Sequence, residues 1–444
     1  MSDSTEGYVP PKKPGYRTAV LFLLTIVYGF NFIDRQIVGI LAPFIQADLE
    51  LTNTQLGLLI GLAFAAFYTI MGIPIAYLAD KVNRVGLLSI AVAVWSGFTA
   101  LTGFAQNFWQ IGLARIGVGI GEAGGSPPAH SIISDFYEKE ERSGALGVYS
   151  LGIPLGIMSA YFITAALMGA DPDTVNWRRI FIILGVSGIL LAIIVRLVIR
   201  EPKRGVMEVG EKKLRKLSFK DGLGRLLTIP SWWFMCFGIA FASFAAYAFS
   251  GFQTKFLRLL DPEYDFQKIV IIIGFINGIF YVAGTYIGAK LVDIKAKKDV
   301  RAYGWVPALS IVLALPFGIG SVWVGSVEAH LALSAAFQIL IGVYLGPSFA
   351  LAQTLAPIQL RAMSTALFFF ILNMIALGGG PTVAGILIDV FASDNVSQLE
   401  ATKLSLTCVC VAFLIAIASY LMVTRTIKKD WTDSELRNSS MAED

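Results

Sequence analysis

Four ionisable residues stand in stretches otherwise made of apolar and glycine residues. Asp34 and Arg35 close Asn31-Phe-Ile-Asp-Arg35, and Arg115 and Glu122 lie in Leu113-Ala-Arg-Ile-Gly-Val-Gly-Ile-Gly-Glu122. A charge at bilayer depth is expensive unless it is paired or faces water, so by default it marks a path for an ion or a substrate. The carboxylates can take and release protons, and the guanidiniums can pair with them or hold an anionic group. Seven residues separate Arg115 from Glu122. That is two helical turns and about 10 Å of rise, which puts both on nearly one face. The intervening glycines let a neighbouring helix approach closely.

The elements that must carry these residues follow from composition. Of 444 residues, 56% are hydrophobic and 15% charged, against roughly 25% charged in an average soluble protein. Mean hydropathy is +0.69, and apolar runs long enough to span a bilayer recur along the chain. The expected fold is all-α and integral to the membrane. Twelve spans run over 17–45, 54–80, 85–106, 108–135, 142–169 and 176–200, then 230–258, 266–292, 301–325, 328–356, 361–390 and 402–426. They divide the chain into a tail (1–16), a six-helix bundle (17–200), a basic linker (201–229), a second six-helix bundle (230–426) and a C-terminal tail (427–444). Lys and Arg crowd the termini, the linker and the links after helices 2, 4, 8 and 10, which predicts cytoplasmic termini. The expected setting is the plasma (inner) membrane, as a multi-pass monomer among membrane lipids. Met1 to Tyr16 is polar, and the first apolar run is too long for a signal h-region, so no cleavable signal is expected.

Other classes find little support. The formal charge of +4 resides in the links between spans and gives no basic face for nucleic acid. Cys236, Cys408 and Cys410 sit in apolar spans without ligand or disulfide spacing. His130 and His330 fall at opposite depths, so no shared metal or acid–base site is expected. No phosphate-cradling loop, nucleophile motif or cofactor motif is present. A transporter, not an enzyme, is the reading.

The halves repeat. Asp80-Lys-Val-Asn-Arg84 follows helix 2 and Asp293-Ile-Lys-Ala-Lys297 follows helix 8; Arg142-Ser-Gly-Ala145 opens helix 5 and Arg361-Ala-Met-Ser364 opens helix 11. Two similar six-helix units in one orientation are the parallel-repeat plan of secondary transporters, with the site between them near the midplane. The chain resembles the major facilitator superfamily over essentially its whole length. Ala76-Tyr-Leu-Ala-Asp80-Lys-Val-Asn83-Arg84 is similar to the superfamily signature between helices 2 and 3, with Ala76 and Asn83 where glycines are usual. Arg115 and Gly119 match its helix 4 signature, and Gly147-Val-Tyr-Ser-Leu-Gly152-Ile-Pro154-Leu-Gly156 its glycine-proline motif. Within it, Asn31-Phe-Ile-Asp34-Arg35 and Gly119-Ile-Gly-Glu122-Ala resemble the Spinster family, most clearly over residues 28–160.

The resemblance implies two pseudo-symmetric bundles, alternating access and proton-coupled export of a lysolipid- or sphingolipid-type molecule. An exchanger or uniporter of small organic anions or drugs is the alternative. The implied fold brings helices 1 and 4 together beside the cavity. Helix rise places Glu122 near the midplane, with Asp34 and Arg115 at comparable depth outward of it. An Asp34–Arg115 ion pair is therefore expected, either functional or merely joining two helices, with Glu122 below it as the proton carrier. Arg35 points about 100° away from Asp34. It either binds an anionic headgroup or reaches the outer water. By resemblance, Asp80, Arg84 and Arg142 form the cytoplasmic gate, with Asp80 near the start of helix 11. Asp293 and Arg361 are their second-half counterparts. The second half is aromatic rather than charged, which suits an amphipathic substrate. Phe244, Tyr247, Asn277, Tyr344 and Asn373 join Arg35 as candidate substrate contacts.

Overall fold

The computed structural model describes residues 14–169, 175–207, 219–357, 360–392 and 395–440. Among them the regular structure is helical, with no β-sheet. The first six helices are α1 (Pro14–Ile40, then Ala42–Asp48), α2 (Asn53–Ile60, Leu62–Ala79), α3 (Arg84–Thr102), α4 (Phe108–Glu122, Ser126–Phe136), α5 (Lys139–Ser150, Gly152–Met168) and α6 (Trp177–Val198). The second six are α7 (Pro230–Leu260), α8 (Phe266–Phe275, Ile276–Tyr281, Val282–Ala296), α9 (Ala302–Trp323), α10 (Val327–Gly342, Leu345–Thr354), α11 (Arg361–Leu372, Asn373–Gly379, Gly380–Phe391) and α12 (Gln398–Val409, Val411–Ser440). Among the described residues, eleven helical stretches are long and apolar enough to cross a membrane. The remaining helix of the expected twelve is α4, interrupted at Ala123–Gly125 where sequence periodicity predicts a continuous helix.

Short polar residues set the helix starts. Thr52 forms a reciprocal capping box with Gln55 at α2, and Asn83, Asn107, Asn176, Ser326 and Ser397 accept from the first turns of α3, α4, α6, α10 and α12. Each satisfies a main-chain N–H that the helix leaves orphaned. Asn83 thus explains its own departure from the glycine of the signature. The middle segments of α8 (Ile276–Tyr281) and α11 (Asn373–Gly379) are π-helical, a wider winding that concentrates at functional sites. No periodicity argument anticipates it.

The chain divides into two compact units. One gathers Met1–Leu51, Ala63–Lys212 and Asp265–Gly274; the other gathers Thr52–Leu62, Lys213–Tyr264 and Phe275–Asp444. Relative to a division within 201–229, the first turns of α2 and α8 are exchanged between the units. Residues 1–13, 208–218 and 441–444, parts of the expected tails and linker, lie outside the described residues.

Inside the first unit, α1 meets α5 where a side chain on Gly156 would collide with the main chain of Gly29. Inside the second unit, α12 continues as a helix past the expected end at 426 to Ser440. Its Asp430 accepts from the main-chain N–H of Ser231 at 2.8 Å, closing the start of α7. Ser434 Oγ donates to Thr354 O at 2.9 Å, closing the end of α10.

Candidate functional site

The four ionisable residues singled out from sequence gather in the first unit, on α1 and α4. Asp34, Arg115 and Glu122 are buried, at 3%, 1% and 1% exposure, while Arg35 keeps 14% of its side chain accessible. The glycines of α4 make the close packing possible. A Cβ on Gly119 would lie 2.7 Å from Phe64 O of α2, and one on Gly121 2.7 Å from the Trp95 nitrogen of α3.

The pairing differs from the expected one. Arg35 Nε donates to Glu122 Oε2 at 2.8 Å, so the buried ion pair is Arg35–Glu122. Arg115 Nη1 instead donates to the main-chain carbonyl of Asp34 at 3.3 Å, and the Asp34 carboxylate accepts from Thr99 Oγ1 of α3 at 3.0 Å. Equal depth is thus insufficient for an Asp34–Arg115 ion pair. The Asp34 carboxylate is directed at α3, and the long Arg35 side chain crosses to α4.

Aromatic rings complete the cluster. The Arg35 guanidinium carbon lies 4.4 Å from the Tyr68 ring centroid, 5.0 Å from that of Phe32 and 5.1 Å from that of Phe64. Arg115 shares the Phe64 ring at 5.2 Å. Cation–π contacts contribute about 0.5–2 kcal/mol each, more when desolvated. They hold a guanidinium beside a carboxylate without satisfying that carboxylate. Glu122 Oε1 and Arg115 Nε are buried with no hydrogen-bond partner. Sequence reasoning missed the rings of Phe32, Phe64 and Tyr68 and the hydroxyl of Thr99, since it sought partners among charges. Phe64 and Tyr68, about one helical turn apart in α2 upstream of the signature, were the available signal.

The expected gate residues fall at the linker-side ends of their helices and fare unequally. Arg84, 1% exposed, pairs with Asp135 and donates to Glu201 Oε1 at 2.8 Å, Ser131 Oγ at 2.8 Å and Pro202 O at 2.7 Å. Glu201 Oε2 also accepts from Val85 N at 2.9 Å. Arg204 donates to Ala79 O and Val82 O, closing α2. Arg142 donates to Ser134 O at 3.0 Å. Asp80 and Asp293 are exposed. The Arg361 side chain lies outside the described residues.

The second unit holds the remaining candidates. Asn277 and Asn373 each sit in the first turn of a π-helical segment, and Asn277 Oδ1 accepts from Gln338 Nε2 at 3.0 Å. Phe244 and Tyr247 are partly exposed. Tyr344 is 1% exposed and shares a hydrogen bond with Ser243 Oγ at 2.9 Å.

Comparison with known proteins decides the family. The sequence profile of the Major Facilitator Superfamily matches residues 24–381. The chain belongs to the major facilitator superfamily. It is 31% identical to an MFS-type efflux pump of Mycolicibacterium smegmatis over 92% of both chains. It is 23% identical to protein spinster homolog 1 of Xenopus laevis over 95% of this chain and 83% of that one. A crystal structure of a bacterial homolog to the human lysosomal transporter Spinster, inward-facing and unoccupied, superposes with a TM-score of 0.87. Its identity is 30%, over 94% of this chain and 99% of that one. As a superfamily member with Spinster-like relatives, the protein is a multi-pass membrane transporter and not an enzyme.

Proposed function

We propose that this transporter works by alternating access and couples export of an amphipathic, lipid-like molecule to proton movement, with Glu122 as the proton site. The observation that carries the reading is the half-satisfied carboxylate of Glu122. One oxygen is held by Arg35 at 2.8 Å, and the other is buried without a partner. An unmet buried acceptor is costly. A proton removes the charge, weakens the hold on Arg35 and frees that guanidinium from its carboxylate. Arg35 is partly accessible and flanked by three rings, so it can then accept an anionic headgroup in place of Glu122. The Glu122 carboxylate and an anionic headgroup thus compete for one arginine, and protonation of Glu122 favours the headgroup. Asp34 and Arg115 position the pair, and Phe244, Tyr247, Asn277, Tyr344 and Asn373 are the candidate contacts in the second half.

Orientation and gating complete the proposal. The Lys and Arg distribution supports a plasma-membrane setting with the termini and the linker on the cytoplasmic side. Asp80, Arg84, Arg142, Asp293 and Arg361 then form the cytoplasmic gate.

The test is transport in proteoliposomes. Lysolipid or sphingoid substrates should move with accompanying proton flux, and Glu122→Gln should abolish that flux while the protein still binds. Competition by tail-less carboxylates as strong as by lipids would favour the small-anion exchanger. Wild-type proton movement in Glu122→Gln would pass the role to Asp34.

A further inference from the structure

His130, one of the chain's two histidines, lies outside the site described above, yet a file of side chains connects it to that site. It stands on the linker-side segment of α4 and is exposed. An imidazole on a membrane-spanning helix is costly in lipid, so its place is on an aqueous path. Its ring meets the Tyr149 ring of α5 edge to face, with 5.2 Å between centroids. Tyr149 is 2% exposed and stacks on Tyr28 of α1 at 4.5 Å, the planes nearly parallel. Tyr28 in turn meets Phe32 at 5.3 Å, and Phe32 lies 5.0 Å from the Arg35 guanidinium carbon. Rings thus run in contact from His130 to the Arg35–Glu122 pair, all within the first unit.

Polar atoms accompany the rings. Glu122, Ser126 and His130 follow one another at four-residue steps along α4, a spacing that favours one side of the helix. The break after Glu122 tightens the turn between the first two, with Gly124 N donating to Gly121 O at 3.0 Å and Gly125 N to Glu122 O at 2.9 Å. The Tyr149 hydroxyl hydrogen-bonds the Ser126 side chain. Beyond Ser126 are two buried acceptors without partners, Glu122 Oε1 and Asn31 Oδ1, on side chains that touch each other. One water donating to both would satisfy both, and such groups are what hold a buried water.

The charged groups on the neighbouring elements are engaged elsewhere. The linker-side segment of α4 packs against α1, α3 and α5. From α3, Arg84 is spent on Asp135, Ser131 and Glu201. From α5, Arg142 donates to Ser134 O, and Glu141 pairs with Arg17 of α1. Tyr16 of α1 donates to Val198 O of α6. The imidazole itself packs on Tyr149, with Tyr28 behind it.

We propose that His130 is the entry for the proton that Glu122 takes, passing it through the Tyr149–Ser126 hydroxyl pair and a bridging water to Glu122 Oε1. The proposal rests on the reading of Glu122 as the proton site. One imidazole nitrogen takes a proton from an acid in the linker-side water while the other gives one to the hydroxyl pair. Each hydroxyl passes on its own proton as it receives the next. Glu122 ends one proton richer and the acid one proton poorer, with no covalent or redox change.

The experiment follows the carboxyl group directly, by time-resolved infrared spectroscopy of the full-length protein in detergent after a downward pH jump. The Glu122 component of the protonated-carboxyl band is assigned by its loss in Glu122→Gln. His130→Ala should reach the same final amplitude roughly fivefold more slowly, as expected when a proton shuttle is lost, and imidazole added to the buffer should restore most of the rate. Tyr149→Phe keeps the ring stack without the hydroxyl and should be slowed similarly, with no rescue by imidazole. A merely structural histidine would change the amplitude or its pH midpoint, and free imidazole would not correct it. His130→Ala at the parent rate overturns the relay, as does a slowing that imidazole leaves untouched. Where His130→Ala melts early, His130→Gln decides by the same criterion. Failure of the underlying reading shows separately, as a carboxyl band with no component lost in Glu122→Gln.

Discussion

Two arginines in the first unit, the partly accessible Arg35 and the buried Arg84, each meet a carboxylate, and the comparison between them explains what each does. Arg84 spends Nε, Nη1 and Nη2 on two carboxylates, a hydroxyl and a carbonyl, and its partners Asp135 and Glu201 each take a further main-chain N–H. Arg35 meets one carboxylate oxygen and three aromatic faces. A saturated network has one arrangement and resists change; a half-satisfied one has somewhere to go. Similar chemistry makes a fastening at one end of the unit and, in the proposed mechanism, a reacting pair in its middle.

The contrast can be broken at several points. The largest effect should come from Arg84→Met, which leaves Asp135 buried and unpaired. A loss of about 3–5 kcal/mol is expected for such a change, seen as poor yield and early melting in detergent. Glu122→Gln should leave melting nearly unchanged and lower proton-coupled transport at least tenfold, with the pH dependence of the rate flattened. If it melted as early as Arg84→Met, the Arg35–Glu122 pair would be a fastening too. Arg35→Lys should be intermediate, because an ammonium keeps the charge but loses the planar stacking of the guanidinium. A three- to tenfold weaker apparent substrate affinity is a reasonable expectation for roughly 1 kcal/mol of lost cation–π contact. Thr99→Val removes the hydroxyl that holds Asp34; about 1 kcal/mol of stability should go with it, and transport should slow less than in Glu122→Gln. Asp80→Asn should do least to stability, within about 0.5 kcal/mol, since the side chain is exposed.

Much of this was legible before any coordinates. Helix rise and apolar run length located the spans and brought Asp34 and Arg115 to comparable depth, with Glu122 about 10 Å inward of Arg115. Depth, however, is one coordinate of three. The direction of Asp34 toward Thr99, and the reach of Arg35 across to α4, depend on how α1, α3 and α4 turn about their axes, which spacing along one helix does not encode. The π-helical turns at Asn277 and Asn373 and the break after Glu122 depart from 3.6 residues per turn and are invisible to a method that assumes it. Asn83 shows the opposite case. As a short polar residue before an apolar run it was a readable helix cap, hidden only because the superfamily pattern drew attention to the missing glycine.

The C-terminal extension of α12 bears on how the molecule is made. Pro230 can open α7 because it has no N–H to lose, but Ser231 needs a partner, and that partner is Asp430, nearly two hundred residues later. Chains are synthesised from the N-terminus and domains close as units. The first turn of the seventh helix is therefore among the last parts of the second unit to be completed. Until residue 430 has left the ribosome, that helix waits with an open end. A nascent chain stopped before it should be the form that quality control removes.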